Sequence, residues 1–278
     1  MDDKKKYKIV ASDLDGTLLN TDQKISAENL AAIKEMCRLG VQLVPTTGRA
    51  LCEMPEALLA SDDVRYYITS NGTAVWDKEQ EKMILTHYIP EDTVAFITET
   101  VKPYASYWLV HEGGVNHYDR ALHTPAYLDK CNVGQAFRNI VETMAKGIDG
   151  MDAFLKASKA IEMICIFFED HRALEACKRT FIESGKLRAV QSDEYNIEIF
   201  MSSAGKGNAL AAFAKMLGVD TSEVIAVGDS DNDKTLLASA GLSLAMENAA
   251  DDLKAIADKT ICNNNEHSAK YILENFLK

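Results

Sequence analysis

The chain has 278 residues, of which 47% are hydrophobic and 26% are charged, the balance of a globular protein with one large domain or two modest ones. This balance excludes a disordered chain, and the longest apolar run, 163–168, is far shorter than the ~20 residues that span a membrane. A net charge of −12 disfavours a nucleic-acid partner, because an acidic surface repels phosphate backbones. A small anionic substrate stays compatible with this charge if a lysine, an arginine or a metal ion offsets it locally.

Six cysteines, at positions 37, 52, 131, 165, 177 and 262, include no CxxC pair, which excludes a zinc ribbon and a thioredoxin motif. We expect them to be reduced and to serve as small apolar side chains. Only a few apolar residues lie between the N-terminal lysines and Asp13, too short a stretch for a signal peptide. The sequence therefore predicts a cytoplasmic protein with no membrane segment. Its oligomeric state stays open, and a monomer is compatible with the sequence.

Short apolar strands and helices alternate at both ends of the chain. Strands are predicted at 8–11, 41–44, 66–69, 224–227 and 242–246. Helices are predicted at 26–39, 209–217, 234–240 and 249–257, the first ending at Gly40. Asn71-Gly72 is a strong hairpin signal and predicts a further strand at 73–76. This alternation favours a parallel sheet with helices on both faces.

The middle of the chain has a different pattern. Helices are predicted at 92–101, 133–144 and 172–183, and strands at 107–110, 115–118, 162–168, 188–191 and 197–200. Hairpins mixed with helices are typical of an antiparallel α+β layer. We therefore predict an α/β fold with a Rossmann-like core of residues 1–84 and 194–278, into which a second, α+β domain of residues 85–193 is inserted.

Pairs of carboxylates follow two of the predicted strands. Asp13 and Asp15 come directly after the first strand, and Asp229 and Asp233 follow the strand at 224–227. Because the carboxyl ends of strands in open α/β sheets form the functional edge, these side chains can converge on one hard cation. Mg²⁺ prefers such oxygen ligands. The second cluster is not an EF-hand loop, because lysine and alanine stand where that loop needs glycine and glutamate.

Two further segments can bind an anion. Thr47 and Gly48 end the second predicted strand, where a hydroxyl and a glycine amide can hold a phosphate oxygen. Lys206 stands between two glycines before a predicted helix, although Gly207 excludes a Walker A loop. Each segment alone is also explained by an ordinary turn or a solvated loop lysine. Together with the carboxylates they form the inventory of Mg²⁺-assisted phosphoryl transfer.

The order and separation of these segments resemble the haloacid dehalogenase superfamily, and within it the Cof-type phosphatases with an inserted α/β cap of the C2B type. The resemblance rests on DLDGTLL at 13–19, TTGR at 46–49, SNG at 70–72, GKGNAL at 205–210 and GDSDND at 228–233, with weaker support from LAMENA at 244–249. It covers essentially the whole chain and implies that the inserted domain is a cap that selects the substrate. The chain departs from the family pattern at Ser12, Glu247 and 266–268, none of which is a proposed ligand.

The resemblance implies a role for each site residue. Asp13 would be the nucleophile that forms an aspartyl-phosphate, and Asp15 the general acid and base. Mg²⁺ would be held by the Asp13 carboxylate, the Asp15 backbone carbonyl and Asp229. Asp233 would orient Lys206 or a metal-bound water. The phosphoryl oxygens would be bound by the Leu14 amide, Thr47, the Gly48 amide, Lys206 and Asn232.

We therefore expect a Mg²⁺-dependent phosphatase of small phosphorylated metabolites, sugar phosphates above all. A phosphomutase uses the same aspartyl-phosphate, and these motifs do not separate the two. A non-catalytic binding module on the same fold is disfavoured by the intact carboxylates. A dehalogenase is disfavoured too, because that branch of the superfamily does not need the second, metal-binding acid.

The inserted domain carries two sets of residues without an assigned role. His111, His117 and His123 recur every six residues and can line a pocket or bind a metal, although loop or strand histidines are more common. Tyr107 and Trp108 can cover a substrate, although packing is the usual role of aromatic residues on a strand.

Overall fold

The computed structural model describes residues 7–278, so the N-terminal lysines at 4–6, on which the expectation about a leader partly rests, lie outside it. The chain forms two compact units. Of the described residues, the first unit comprises 7–49, Met54–Leu85 and Gly205–Lys278, and the second comprises Ala50–Glu53 and Thr86–Ala204. None of the helices within residues 7–278 is both long enough and apolar enough to cross a membrane.

The elements follow one another along the described chain. The strands are β1 (Ile9–Ser12), β2 (Gln42–Pro45), β3 (Tyr66–Thr69), β4 (Ala74–Asp77), β5 (Lys82–Thr86), β6 (Ser106–Glu112), β7 (Val115–Asp119), β8 (Lys146–Ile148), β9 (Ile161–Phe168), β10 (Leu187–Val190), β11 (Asn196–Met201), β12 (Val224–Gly228), β13 (Leu242–Ala245) and β14 (Lys259–Thr260). The helices are α1 (Ala27–Arg38), α2 (Glu56–Leu59), α3 (Glu91–Val101), α4 (Pro125–Lys130), α5 (Gln135–Met144), α6 (Met151–Ala157), α7 (His171–Glu183), α8 (Lys206–Met216), α9 (Lys234–Ala238), α10 (Asp251–Ile256) and α11 (Ser268–Ile272).

The first unit is built on a five-stranded parallel sheet in the order β14-β13-β12-β1-β2. β1 lies between β12 and β2 and is buried on both faces, which explains its uninterrupted short apolar sequence. Ile9 and Ala11 point to one face, where they share a core cluster with Phe213 of α8. The predicted parallel α/β core is confirmed.

The hairpin predicted from Asn71-Gly72 is confirmed as β3 and β4, which pair antiparallel and are joined by four residues, of which Ser70–Gly72 form the turn. Ser70, Asn71 and Gly72 have positive φ angles. A Cβ atom at Gly72 would lie 2.4 Å from the carbonyl oxygen of Gly205. Glycine at 72 therefore lets this turn contact the backbone at the start of α8.

The second unit is built on a six-stranded sheet in the order β10-β11-β9-β6-β7-β8, antiparallel except for the parallel pair β7 and β8. α3, α6 and α7 contribute to the apolar cluster on one face, and α4 and α5 to the cluster on the other. Helices on both faces account for the complete burial of β9. The predicted antiparallel α+β layer is confirmed, while α4, α6 and β8 were not predicted.

The second unit extends beyond the predicted limits of 85 and 193. β11 pairs with β9 and β10, so the contacts carry this unit on to Ala204. Ala50–Glu53 also belongs to it, because the backbone N–H of Cys52 donates to Gly114 at 2.9 Å and Asn116 donates to Glu53 at 2.6 Å. Because these contacts join residues about sixty positions apart, a local sequence pattern could not predict them.

Candidate active site

A buried ion triad links three distant segments of the first unit. The Nζ atom of Lys206 lies 2.6 Å from Oδ1 of Asp13 and 2.7 Å from Oδ1 of Asp233. The three residues are 2%, 4% and 0% exposed, in that order. Asp13 follows β1, Asp233 follows β12 and Lys206 begins α8. Lys206 is therefore not the solvated loop lysine that its glycine neighbours would also allow.

Two glycines permit this close approach. A Cβ atom at Gly207 would lie 2.0 Å from the carbonyl oxygen of Thr235, and one at Gly228 would lie 2.5 Å from Cγ of Asp233. Gly207 thus lets the first turn of α8 contact α9. Gly228 leaves space for the Asp233 carboxylate at the end of β12. Larger residues at either position would force the triad apart.

Asp233 also shapes the acidic loop in which it lies. Its Oδ2 atom accepts hydrogen bonds from the backbone N–H groups of Asp229 at 3.0 Å and Ser230 at 3.1 Å. Both carboxylate oxygens of Asp233 are thus bound, one by Lys206 and one by the loop. Asp233 therefore holds both the Lys206 ammonium group and the backbone of the acidic loop.

Asp229 lies over the backbone that follows Asp13. Thr17 donates its hydroxyl proton to Oδ1 of Asp229 at 3.1 Å, and a Cβ atom at Gly16 would lie 2.3 Å from Oδ2. Gly16 has a φ of 73°, which the sharp turn requires and which favours glycine. The side-chain oxygens of Asp13, Asp229 and Asp233 lie within 4.8 Å of one another.

The electrostatics of this cluster favour a bound cation. Three carboxylates share one ammonium, so the negative charge is only partly offset. Burial raises the pKa of Asp13 well above its usual value, against the lowering effect of Lys206 and with further raising by Asp233 and Asp229. Burial, then the Asp233 charge, raises the pKa of Asp229 to about 6. Burial alone would lower the pKa of Lys206, but Asp13 and Asp233 outweigh it and the net shift is upward, so the ammonium stays charged.

The donor set fits a hard divalent cation such as Mg²⁺. Its donors are oxygens, and Asp13 and Asp229 approach each other across the space that Gly16 leaves open. A divalent cation would neutralise the two carboxylates whose pKa values burial raises. Within residues 7–278, this is the only group of three or more acidic, histidine or cysteine side chains with metal-ligand spacing.

The side chain of Asp15 differs from that of Asp13 in its exposure and in its partner. Its side chain is 45% exposed and its two oxygens are bound by Arg49, from Nε at 2.8 Å and from Nη2 at 2.5 Å. Gln23 accepts a second hydrogen bond from Nη2 of Arg49 at 2.6 Å. Arg49 belongs to the TTGR segment at 46–49, and no role was predicted for it. Because β2 lies next to β1, the position of Arg49 shortly after β2 could have indicated that it lies near Asp15.

Asn71 gathers the residues predicted to bind phosphate. Its backbone N–H donates to the carbonyl of Thr47 at 3.0 Å, and its Oδ1 accepts from Asn232 at 3.2 Å. A Cβ atom at Gly48 would lie 3.1 Å from the same oxygen. Asn232 in turn accepts from Lys206 at 3.3 Å. The contacts of Asn71 with this site were not predicted, because the sequence indicated Asn71 only as a turn residue and as part of SNG.

Two predicted or noted positions complete the first loop. Leu14 is fully buried, and its carbonyl closes the tight turn by accepting from the N–H of Leu19 at 2.9 Å. Ser12, where the family usually has an apolar residue, is also buried and donates its hydroxyl proton to the Asp13 carbonyl at 2.8 Å. The turn that carries Asp13 is therefore fixed from both sides.

The histidines of the second unit do not join this site or form one of their own. His111 is buried on the opposite sheet face from His117, and burial lowers its pKa to about 4. The ring of His117 packs against Phe154, with centroids 4.8 Å apart. His123 contacts the hydroxyl of Tyr107 at 2.9 Å. Among the described residues, no group with metal-ligand spacing includes a histidine.

The parallel strands end in a buried Asp–Lys–Asp triad next to carboxylates with metal-ligand spacing, and this arrangement is suited to phosphoryl transfer. The chain belongs to the haloacid dehalogenase-like hydrolase family, whose profile matches residues 10–273. It is a phosphatase of that family, as its relatives are. The family resemblance expected from the sequence is confirmed.

Two curated relatives and one solved structure illustrate the similarity. The chain is 30% identical to Phosphatase YwpJ of Bacillus subtilis, over 97% of this chain and 100% of that protein. It is 29% identical to the 5-amino-6-(5-phospho-D-ribitylamino)uracil phosphatase YwtE of the same organism, over 97% and 98%. A haloacid dehalogenase-like hydrolase structure from B. subtilis matches with a TM-score of 0.81 and 28% identity, over 97% and 100%.

The triad predicts the effect of replacing Lys206. In Lys206→Met the carboxylates of Asp13 and Asp233 lose a buried partner, so the free energy of unfolding should fall by about 3–5 kcal/mol. Turnover of an aryl phosphate should fall by about 100-fold or more, because Asp13 loses the ammonium group that holds it at the end of β1. Urea unfolding and steady-state assays measure the two effects.

Lys215→Met is the matched control, since Lys215 is exposed on the same helix. It should change the free energy of unfolding by about 0.5 kcal/mol or less and leave turnover unchanged. If Lys206→Met behaved like this control, the triad would have no role in stability or catalysis.

Proposed function

We propose that the protein is a Mg²⁺-dependent phosphatase of small phosphorylated metabolites, sugar phosphates in particular, which acts through an aspartyl-phosphate on Asp13. The observation that carries the proposal is the buried Asp13 carboxylate, held at the end of β1 by Lys206 and lying within 4.8 Å of Asp229. A fixed carboxylate next to a protonated lysine and a cation site has the features of a nucleophile towards an anionic ester.

In the first half-reaction an Asp13 oxygen attacks phosphorus and the bond from phosphorus to the ester oxygen breaks. Asp15, in its acid form, gives its proton to the leaving oxygen. Arg49 fixes the direction of the Asp15 carboxyl group through two hydrogen bonds. The transferred oxygens would be bound by the Leu14 amide, Thr47, the Gly48 amide, Lys206 and Asn232.

In the second half-reaction the Asp15 carboxylate takes a proton from water. The water oxygen attacks phosphorus, and the acyl-phosphate bond to Asp13 breaks. Inorganic phosphate leaves, Asp13 is again a carboxylate, and Asp15 again carries a proton. Splitting the displacement into two steps lowers the barrier of a reaction that is very slow without a catalyst.

Mg²⁺ would be held by the Asp13 carboxylate, the backbone carbonyl of Asp15 and Asp229. When bound, it supplies positive charge where the anionic nucleophile meets an anionic ester. Asp233 has both oxygens bound and acts by orienting Lys206. Thr17 fixes Asp229 through its hydroxyl.

Substrate choice is assigned to the second unit, because none of the proposed catalytic or ligand residues lies in it. The substrate class is supported by the relative YwtE, whose named substrate carries its phosphate on a ribitylamino group. We also propose that the protein acts in the cytoplasm. All six cysteines lie within the described residues and are unpaired, as the reducing cytosol favours.

The covalent step predicts a sharp difference between three aspartates. Asp13→Asn should abolish turnover, because an amide does not form the acyl phosphate, and Asp15→Asn should lower kcat by about 100-fold or more through loss of acid–base catalysis. Asp231→Asn is the matched control, since Asp231 is exposed in the acidic loop and has no proposed role. Steady-state kinetics and circular dichroism distinguish lost chemistry from lost structure. Substantial turnover by folded Asp13→Asn would contradict the covalent mechanism.

The cation site predicts strict metal dependence. EDTA should abolish turnover and Mg²⁺ should restore it, whereas Ca²⁺ should fail, because it prefers more ligands at longer distances. Metal-stripped protein assayed with each cation in turn tests this. Asp229→Asn should raise the Mg²⁺ concentration needed for half-maximal rate by about tenfold or more, since it removes one ligand charge. Full activity with Ca²⁺ alone would exclude the proposed site.

The assignment of substrate choice predicts a split between two substrate types. Asn116 and Glu198 are buried polar residues on one face of the second unit's sheet. Asn116→Ala and Glu198→Gln should change kcat/KM ratios between sugar phosphates by about tenfold, yet leave hydrolysis of a small aryl phosphate within about threefold. Glu183→Gln, at an exposed position of α7, is the control. Rates that fall together on both substrate types would reject this division of labour.

A further inference from the structure

The second unit contains a cleft that the proposed reaction does not use. It has a volume of about 790 Å³ and runs between α3 and α6, all of its lining coming from this unit. This volume lies within the range of about 300–1,000 Å³ that small-molecule sites occupy. The cleft opens over β6 and β7, whose residues Ser106, Trp108 and Asp119 form its floor.

Strand geometry explains why Trp108 is available to a ligand. Neighbouring residues of a strand point to opposite faces, so Tyr107 and Trp108 diverge. Tyr107 is 1% exposed and packs in the cluster with Leu109 and Phe167. Trp108 is only partly buried and presents its indole to the cleft, with its N–H bound by Ser106 at 2.8 Å. The indole of Trp108 therefore forms part of the floor of the cleft.

Asp119 places a fixed negative charge beside this indole. It lies one step beyond the paired residues Leu109 and Tyr118, and so opposite Trp108. Its carboxylate is held by the backbone N–H groups of Ala121 at 3.0 Å and Met151 at 2.9 Å. Asp119 is 8% exposed, and no cationic side chain is recorded within hydrogen-bond distance of it in the described structure.

Acidic residues outnumber basic ones in the lining of the cleft, although Glu91 is paired with Lys159 outside it at 2.5 Å. Its lining includes four acidic residues, Glu91, Glu99, Asp119 and Asp152, and two basic ones, Lys102 and Lys156. Lys102 is paired with Glu99 at 3.0 Å, so it does not neutralise Asp119. Between these charges the walls are apolar, formed by Val94 and Leu155 among others. An apolar cavity with a buried carboxylate next to an indole face is complementary to an organic cation.

We propose that this cleft is a binding site for a small organic cation, an amine with an apolar or aromatic body. The ammonium group pairs with Asp119 and lies against the Trp108 ring, and the apolar body contacts Val94 and Leu155. The hydroxyl of Ser106, which accepts from Trp108, has its own proton free to donate to a polar substituent of the ligand. The site is separate from the phosphatase residues, which all belong to the first unit.

The fluorescence of Trp108 tests the proposal directly. The chain has two tryptophans, so a Trp76→Phe background leaves Trp108 as the single reporter. This protein is titrated with 2-phenylethylammonium, 2-phenylethanol and 3-phenylpropionate, which share a ring and differ in head-group charge. The ammonium probe should change the emission saturably, with a Kd at least tenfold lower than that of the alcohol. The carboxylate probe should not bind.

Variants of the cleft separate the charge pairing from simple apolar binding. Asp119→Asn should raise the Kd of the ammonium probe at least tenfold, while Glu183→Gln, at an exposed site outside the cleft, should leave it within twofold. Because Asp119 also holds two backbone N–H groups, Ala95→Lys provides a second variant. Ala95 is exposed in the lining of the cleft, and a lysine there should repel the probe and raise its Kd at least fivefold, whereas Ala95→Gln should not.

Equal binding of the ammonium and the alcohol would overturn the proposal, and so would a response that does not saturate. If Asp119→Asn fails to fold, a normal Kd in Ala95→Lys would reject it equally. The titrations contain no phosphate ester and no Mg²⁺. Their outcome is therefore independent of whether the protein is the phosphatase proposed above.

Discussion

The first unit depends on one buried positive charge. Moving an ammonium out of water costs several kcal/mol unless carboxylates surround it, and Lys206 has two within 2.7 Å. Meeting that condition requires the carboxyl ends of β1 and β12 and the first residue of α8 to lie close together, although Asp13 and Lys206 are 193 positions apart in the sequence. The glycines at 207 and 228 allow the approach because any side chain there would collide with Thr235 or Asp233. The same contacts that stabilise this core therefore position the reactive carboxylate.

Lys206 offsets only part of the negative charge around it, and this imbalance separates the tasks of the aspartates. Both oxygens of Asp233 are hydrogen-bonded within the protein, whereas Oδ2 of Asp229 lies over Gly16, 2.3 Å from where a Cβ atom would stand. Asp15, two residues from Asp13, is half exposed and bound by Arg49. A buried carboxylate suits nucleophilic attack on phosphorus, and an exposed carboxyl group suits proton exchange with water. Burial thus assigns different chemistry to residues that the sequence presents as alike.

Sequence patterns predicted the parts of the fold that depend on residues close together in the chain. Strand alternation predicted the parallel sheet. The rule that parallel strand ends share one edge predicted that Asp13 and Asp229 lie close together, and their oxygens are within 4.8 Å of each other. Hydrogen-bond partners that depend on the direction of a side chain could not be predicted. Examples are Arg49 for Asp15 and Asn71 for Asn232. The membership of Ala50–Glu53 in the second unit also follows from Gly114 and Asn116, far along the chain. These pairings depend on geometry that exists only after the sheets have formed.

Tyr107 and Trp108 show the same limit at the scale of two residues. Both are aromatic, both lie on β6, and no sequence pattern separates their roles. The pleat of the strand sends Tyr107 into a closed apolar cluster, where its hydroxyl binds His123. It sends Trp108 to the floor of a cleft beside the carboxylate of Asp119. Packing buries the Tyr107 ring and leaves Trp108 partly exposed in the lining of the cleft, which is why Trp108 is the residue to which we assign a ligand.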